Sequence, residues 1–83
     1  MFVSEKQIFE NLALKHMDNL YSKATRLVGN AEGAEILVQQ TYATAFVAFE
    51  RFDKNSDFNT WQNEILMLVY LNSRFYAKVS ADN

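Results

Sequence analysis

Apolar residues recur at helical spacing along almost the whole chain, and short polar breaks at Gly29–Asn30 and Asp53–Asp57 divide them into three runs. The central run, from Asn30 to Phe52, is the most regular. At about 100° per residue, Ala34, Leu37, Val38, Thr41, Ala45, Ala48, Phe49 and Phe52 share one face, as a core-facing helix requires. The opposite face carries Ile36, Gln39, Gln40, Ala43, Phe46 and Val47, with Glu50 as its carboxylate and Glu35 at its flank. A helix apolar on both sides needs two neighbours. One is the rest of the domain; the other is a partner protein, a fourth helix, a second copy or missing sequence.

The flanking runs supply the rest of a core. Ser4-Glu5-Lys6-Gln7 has the form of a capping box, with Val3 and Ile8 placed as a hydrophobic staple, and it opens a helix whose inward stripe is Phe9, Leu12, Ala13, Met17, Leu20, Ala24 and Leu27. Gly29 suits the left-handed residue that ends this helix, and Asn30 suits the N-cap of the next, with Glu32 in its first turn. A tight αα-hairpin follows. Asp53-Lys54-Asn55-Ser56-Asp57 reads as a loop, from which Ser56 or Asp57 caps a third helix reaching to about Ser80. Its predicted stripe is Trp61, Ile65, Leu68, Val69, Phe75, Tyr76 and Val79, with Trp61 as the largest contributor to the core. The fold class predicted is all-α, a small bundle of three long helices without strands.

Composition agrees with one helical domain: 83 residues with no proline and two glycines favour long helices over strands joined by tight turns. With no cysteine there is neither a disulfide framework nor a thiolate metal site. The N-terminus lacks the apolar core of a signal peptide, and the longest apolar run, Ile65 to Leu71, is too short to span a bilayer, so a cytoplasmic location without membrane contact is expected. A formal net charge of −2 gives no overall attraction for nucleic acid, so any DNA contact has to be local.

Catalysis and metal binding find no support in the residues. No paired carboxylates, nucleophile with a base, glycine-rich phosphate loop or metal-ligand spacing occurs, and His16 is the single histidine. Glu5, Glu10, Asp18, Glu32 and Glu35 read as solvated faces and dipole-matching termini. No enzyme activity, metal or cofactor is expected.

Taken together, Leu20-Tyr21, Leu27-Val28-Gly29-Asn30, Ala34-Glu35, Leu37-Val38-Gln39, Phe46, Arg51-Phe52-Asp53, Phe58 and Trp61 resemble region 2 of bacterial sigma factors of the extracytoplasmic-function group, over about positions 9 to 76. The combination Ala-Glu-x-Leu-Val-Gln, then Arg-Phe-Asp, then Phe-x-x-Trp is the specific part. The resemblance implies a helical domain that binds the clamp helices of the RNA polymerase β′ subunit and opens promoter DNA at the minus-ten element. Partner binding is then expected at Ile36, Gln39, Gln40, Ala43 and Val47, and nucleic-acid binding at Phe52, Lys54, Asn55, Ser56 and Arg74. For Phe52 the alternative is that it plugs the end of the bundle. An anti-sigma factor and a homodimer are further partners that the resemblance and the apolar face allow.

Several positions depart from the family pattern. Ile36 and Gln40 stand where the family carries carboxylates, Gln62 where it has leucine, and Asn72 and Phe75 in a stretch that normally runs Ile-Ala-Arg-Asn. The cations on the expected DNA side are Arg51, Lys54, Arg74 and Lys78, set against Asp53, Asp57 and Glu64, so binding should be weak and directed at unpaired strands. The chain ends where a sigma factor continues to region 4, which implies either a fragment or a reduced relative acting as a protein-interaction module without DNA binding.

Overall fold

The computed structural model describes the backbone of residues 4–81 and the side chains of residues 4–74. Helices α1 (Glu5–Lys15), α2 (Met17–Val28), α3 (Ala31–Ala48) and α4 (Phe58–Ala81) follow in order, with a 3₁₀ turn (Phe49–Arg51) closing α3. No strand occurs among the described residues. Val3 and the side chains of Phe75, Tyr76, Lys78 and Val79 lie outside them.

The expected count of three helices is corrected to four. His16 takes φ −109° and ψ 11°, and its N–H is shared between the carbonyls of Leu12 and Ala13, both at 3.3 Å. The ring of His16 stacks on Phe58, with centroids 5.9 Å apart, so the break is fixed by tertiary packing. The apolar stripe keeps its phase across the break, which is why periodicity alone reads one helix.

The other boundaries follow local chemistry. Ser4 Oγ accepts from the Gln7 N–H at 3.1 Å, and Asn30 Oδ1 accepts from the Gly33 N–H at 2.7 Å. Gly29 adopts φ 83°, the left-handed region that a Cβ disfavours, and its N–H reaches Thr25 O at 2.7 Å. Between α3 and α4 the loop folds on Asp53, whose carboxylate accepts from the Asn55 N–H and whose carbonyl accepts from Ser56.

Two clusters make up the core. At the loop end Phe9, Ala13, Ala45, Phe49, Phe52, Phe58 and Ile65 pack together; at the other end Leu20, Ala24, Ala34, Leu37, Val38 and Leu66 do so. The predicted α3 stripe is buried throughout except for half-buried Ala48. On α4 the predicted stripe is corrected: Leu68 is 61% exposed, Trp61 is half-buried, and the inward face runs through Phe58, Gln62, Ile65, Leu66 and Val69. Among the described residues Phe9, not Trp61, is the largest fully buried side chain.

Asp57 caps α4, accepting from Thr60 Oγ1 at 2.7 Å and from the Thr60 N–H at 3.0 Å. Those two bonds, aided by the field of His16 and opposed by slight desolvation, hold its carboxyl below the usual 3.8. A carboxyl depressed on folding stabilises the native state above its unfolded value and loses that contribution as pH falls through its folded value. Urea midpoints should therefore drop as the pH is lowered below about 4, and the drop should be smaller in Asp57→Asn, which keeps an acceptor but cannot titrate. Equal slopes in the two proteins would remove Asp57 from the account.

Candidate functional site

The outward face of α3 is an exposed, mostly uncharged strip. Ile36 and Val47 are 53% and 77% exposed, and Gln39, Gln40 and Ala43 between them are also exposed. From Ile36 to Val47 the strip runs about 16 Å along the helix. A groove lies at each end. One, of about 280 Å³, is lined by Val28, Gly33, Ile36, Leu37, Gln40, Tyr70, Ser73 and Arg74. The other, of about 270 Å³, is bounded by α1 and the end of α3 and includes Phe46 and Val47. Phe46 is anchored by an edge contact with Phe9 at 5.6 Å while still presenting part of its ring. All the residues expected to bind a protein thus form one continuous surface.

The residues expected to bind nucleic acid do not converge. Phe52 is 7% exposed, stacked on Phe49 at 5.5 Å and packed against Phe58 and Trp61 at 5.7 and 4.8 Å. It plugs the end of the bundle, and its ring is not presented to a base. Lys54 Nζ lies 3.3 Å from Glu5 Oε1 and 3.9 Å from the centre of the Phe49 ring, so its charge is engaged within the domain. Asn55 and Ser56 remain exposed beside it. Arg74 sits sixteen residues beyond Phe58, about 24 Å along α4 from the loop. Its Nη1 donates to Tyr70 Oη at 2.9 Å, and Tyr70 in turn donates to Leu27 O at 3.2 Å.

Three enclosed amides on α4 and a groove between α2 and α4 were missed by sequence reasoning. Asn59 Oδ1, Gln62 Nε2 and Asn63 Oδ1 are enclosed without hydrogen-bond partners, and Lys23, Arg26, Leu27, Asn63, Leu66 and Met67 line a groove of about 380 Å³. The signal available was three amides, Asn59, Gln62 and Asn63, at helical spacing in an otherwise apolar helix. Among the described residues no group of three His, Asp or Glu side chains could hold a metal ion, and no helix is long and apolar enough to cross a membrane.

Residues 12–73, spanning the end of α1 through most of α4, match the sequence profile of sigma-70 region 2. The chain belongs to the sigma-70 region 2 family. The chain is also similar to the ECF RNA polymerase sigma factor SigW of Bacillus subtilis (strain 168), at 30% identity over 57 residues. That alignment covers 69% of this chain and 30% of the relative, so the chain spans under a third of that sigma factor's length. The sigma-70 region 2 match includes the whole outward strip of α3 and the α2–α4 groove.

Proposed function

We propose that this domain acts in transcription initiation by binding core RNA polymerase, with the outward face of α3 on the clamp helices of the β′ subunit, and by contacting the opened minus-ten strand. The observation that carries this reading is the uncovered strip Ile36–Gln39–Gln40–Ala43–Val47 on a sigma-70 region 2 domain. Its similarity to a protein named as an RNA polymerase sigma factor supports the same partner. Through Ile36 and Gln40 the strip offers apolar area and amide hydrogen bonds in place of charge, so its binding should depend little on salt.

Val47→Asp tests this. The side chain is exposed, so the substitution should leave far-UV circular dichroism and urea stability within about 0.5 kcal/mol of the parent. Burying the new carboxylate in an apolar contact should cost at least about 2 kcal/mol, or roughly thirty-fold in affinity for core polymerase. Retention of the variant on immobilised core polymerase at parental affinity would sink the assignment.

A second reading, a protein-interaction module that self-associates and does not bind DNA, is favoured by one feature: the loop's aromatic and cation are both engaged internally. Sedimentation equilibrium separates the two. A dimer broken by Val47→Asp, with no retention on polymerase, supports the second.

A further inference from the structure

We propose that the outer face of α4 pairs with the same face of a second copy of the chain, the two helices running antiparallel about a two-fold axis at Leu71. This surface is separate from the outward strip of α3, and the pairing stands apart from either reading of that strip. It starts from three large apolar side chains on adjacent turns. Met67, Leu68 and Leu71 are 43%, 61% and 53% exposed, while the opposite side of α4 fills the core through Phe58, Gln62, Ile65 and Leu66. Isolated exposed apolar residues are ordinary, but a run of them along one helix face is the mark of an interface.

The order of charge along this face decides what fits it. With Glu64 as zero and about 100° per residue, Leu68, Leu71, Phe75 and Lys78 fall within about 40° of it, and the helical backbone of α4 runs on to Ala81. Asp57 and Glu64, both exposed, stand at the N-terminal end; exposed Arg74 and, by register, Lys78 stand at the C-terminal end, with the leucines between. Glu64 and Lys78 each lie seven residues from Leu71, the spacing at which a helix returns to the same seam. A second copy turned about an axis through Leu71 therefore sets Glu64 of each chain against Lys78 of the other and Leu71 against its own mate. A face that complements itself in this way meets the condition for an isologous dimer. A parallel pair would put Glu64 on Glu64 and Lys78 on Lys78. An anionic lipid surface or a nucleic-acid strand would be repelled by the acidic end. A different protein would need the same order of charge reversed, which a second copy supplies by itself.

The seam from Glu64 to Lys78 is about 21 Å long, so the contact is small and the dimer weak. Sedimentation equilibrium of the 83-residue chain from about 10 µM to about 1 mM, the range suited to a small interface, should show the average mass climbing from one chain toward two. Leu71→Glu, which sets two carboxylates face to face at the axis, should weaken association at least about ten-fold. Leu68→Glu is a second disruption should the first disturb the helix, and far-UV circular dichroism checks the folding of each variant. Glu64→Lys and Lys78→Glu should each weaken association about five-fold, since each creates two like-charge pairs per dimer. The double substitution Glu64→Lys/Lys78→Glu should restore it to within about a factor of two, and an equimolar mixture of the two single variants should form a heterodimer. Val47→Asp should leave association unchanged.

A chain that stays monomeric up to about 1 mM would overturn the pairing and leave the polymerase assignment, scored separately through retention of Val47→Asp, as it stood. Association lost in Val47→Asp but indifferent to Leu71→Glu would place the dimer on α3 and overturn the α4 face. Association weakened by Leu71→Glu but not rescued by the double charge exchange would overturn the antiparallel arrangement.

Discussion

Phe9→Ala should destabilise the domain by about 3–5 kcal/mol, the cost of removing a buried phenylalanine from a core that collapses only partly around the space. Phe9 is fully buried, and its ring meets Tyr42, Phe46, Phe49 and Phe58 edge-on at 5.1, 5.6, 5.3 and 6.1 Å. Among the described residues no other side chain joins α1 to both α3 and α4 through so many rings. At about 0.05–0.15 kcal/mol per residue, a chain of this length has roughly 4–12 kcal/mol in all, so the substitution removes a large share of its stability. Urea unfolding followed by circular dichroism measures the loss. Phe46→Ala, at a ring 44% exposed, serves as the comparison and should cost under about 1.5 kcal/mol. A loss below about 1 kcal/mol for Phe9→Ala would mean that the aromatic cluster is not the keystone described.

Gln62→Leu should act in the opposite direction. Gln62 is 1% exposed at the centre of the inward face of α4, and its Nε2 has no acceptor. A leucine there removes the desolvation cost of an unpaired donor, about 1–3 kcal/mol, and adds apolar surface of similar volume. The expected gain is about 1–3 kcal/mol. In a domain of this size each kcal/mol raises the Tm by about 4–8 °C, so the shift should be plain in a thermal melt. The position is one where this chain departs from the leucine of the family pattern, which the substitution restores. A lowered Tm would show that Gln62 has a partner, such as a bound water, that stabilises it where it stands.

How far the fold was legible depended on whether buried positions were apolar. On α3 every residue of the inward stripe is apolar except Thr41, whose hydroxyl donates to Leu37 O at 2.8 Å and is thereby hidden within its own helix. Periodicity therefore located the whole face. On α4 the pattern misled, because Gln62 turns inward while Met67, Leu68 and Leu71 face out, and the apolar stripe rotates toward the wrong side. The His16 break had no glycine or proline to announce it. For the candidate site, the outward strip of α3 was readable as a face too apolar for solvent. The fate of Phe52 was not, since base stacking and core packing ask for the same aromatic ring, and only its neighbours Phe49, Phe58 and Trp61 distinguish them. The α2–α4 groove needed two helices brought side by side, which no single-helix pattern contains.

The division of the core into an aromatic end and an aliphatic end has a spectroscopic consequence. The single tryptophan, Trp61, lies within 4.8–6.2 Å of Phe52, Phe58 and Phe49, wholly in the aromatic cluster. Its emission is therefore a local reporter of the loop end, blind to loosening around Leu20, Ala34, Leu37 and Val38. Backbone ellipticity, by contrast, averages over all four helices. Val69 touches both clusters, so it is the natural link through which melting at one end spreads to the other. Superimposable fluorescence and ellipticity transitions would mark the two ends as one cooperative unit, and a fluorescence transition that lags would reveal the aliphatic end opening first.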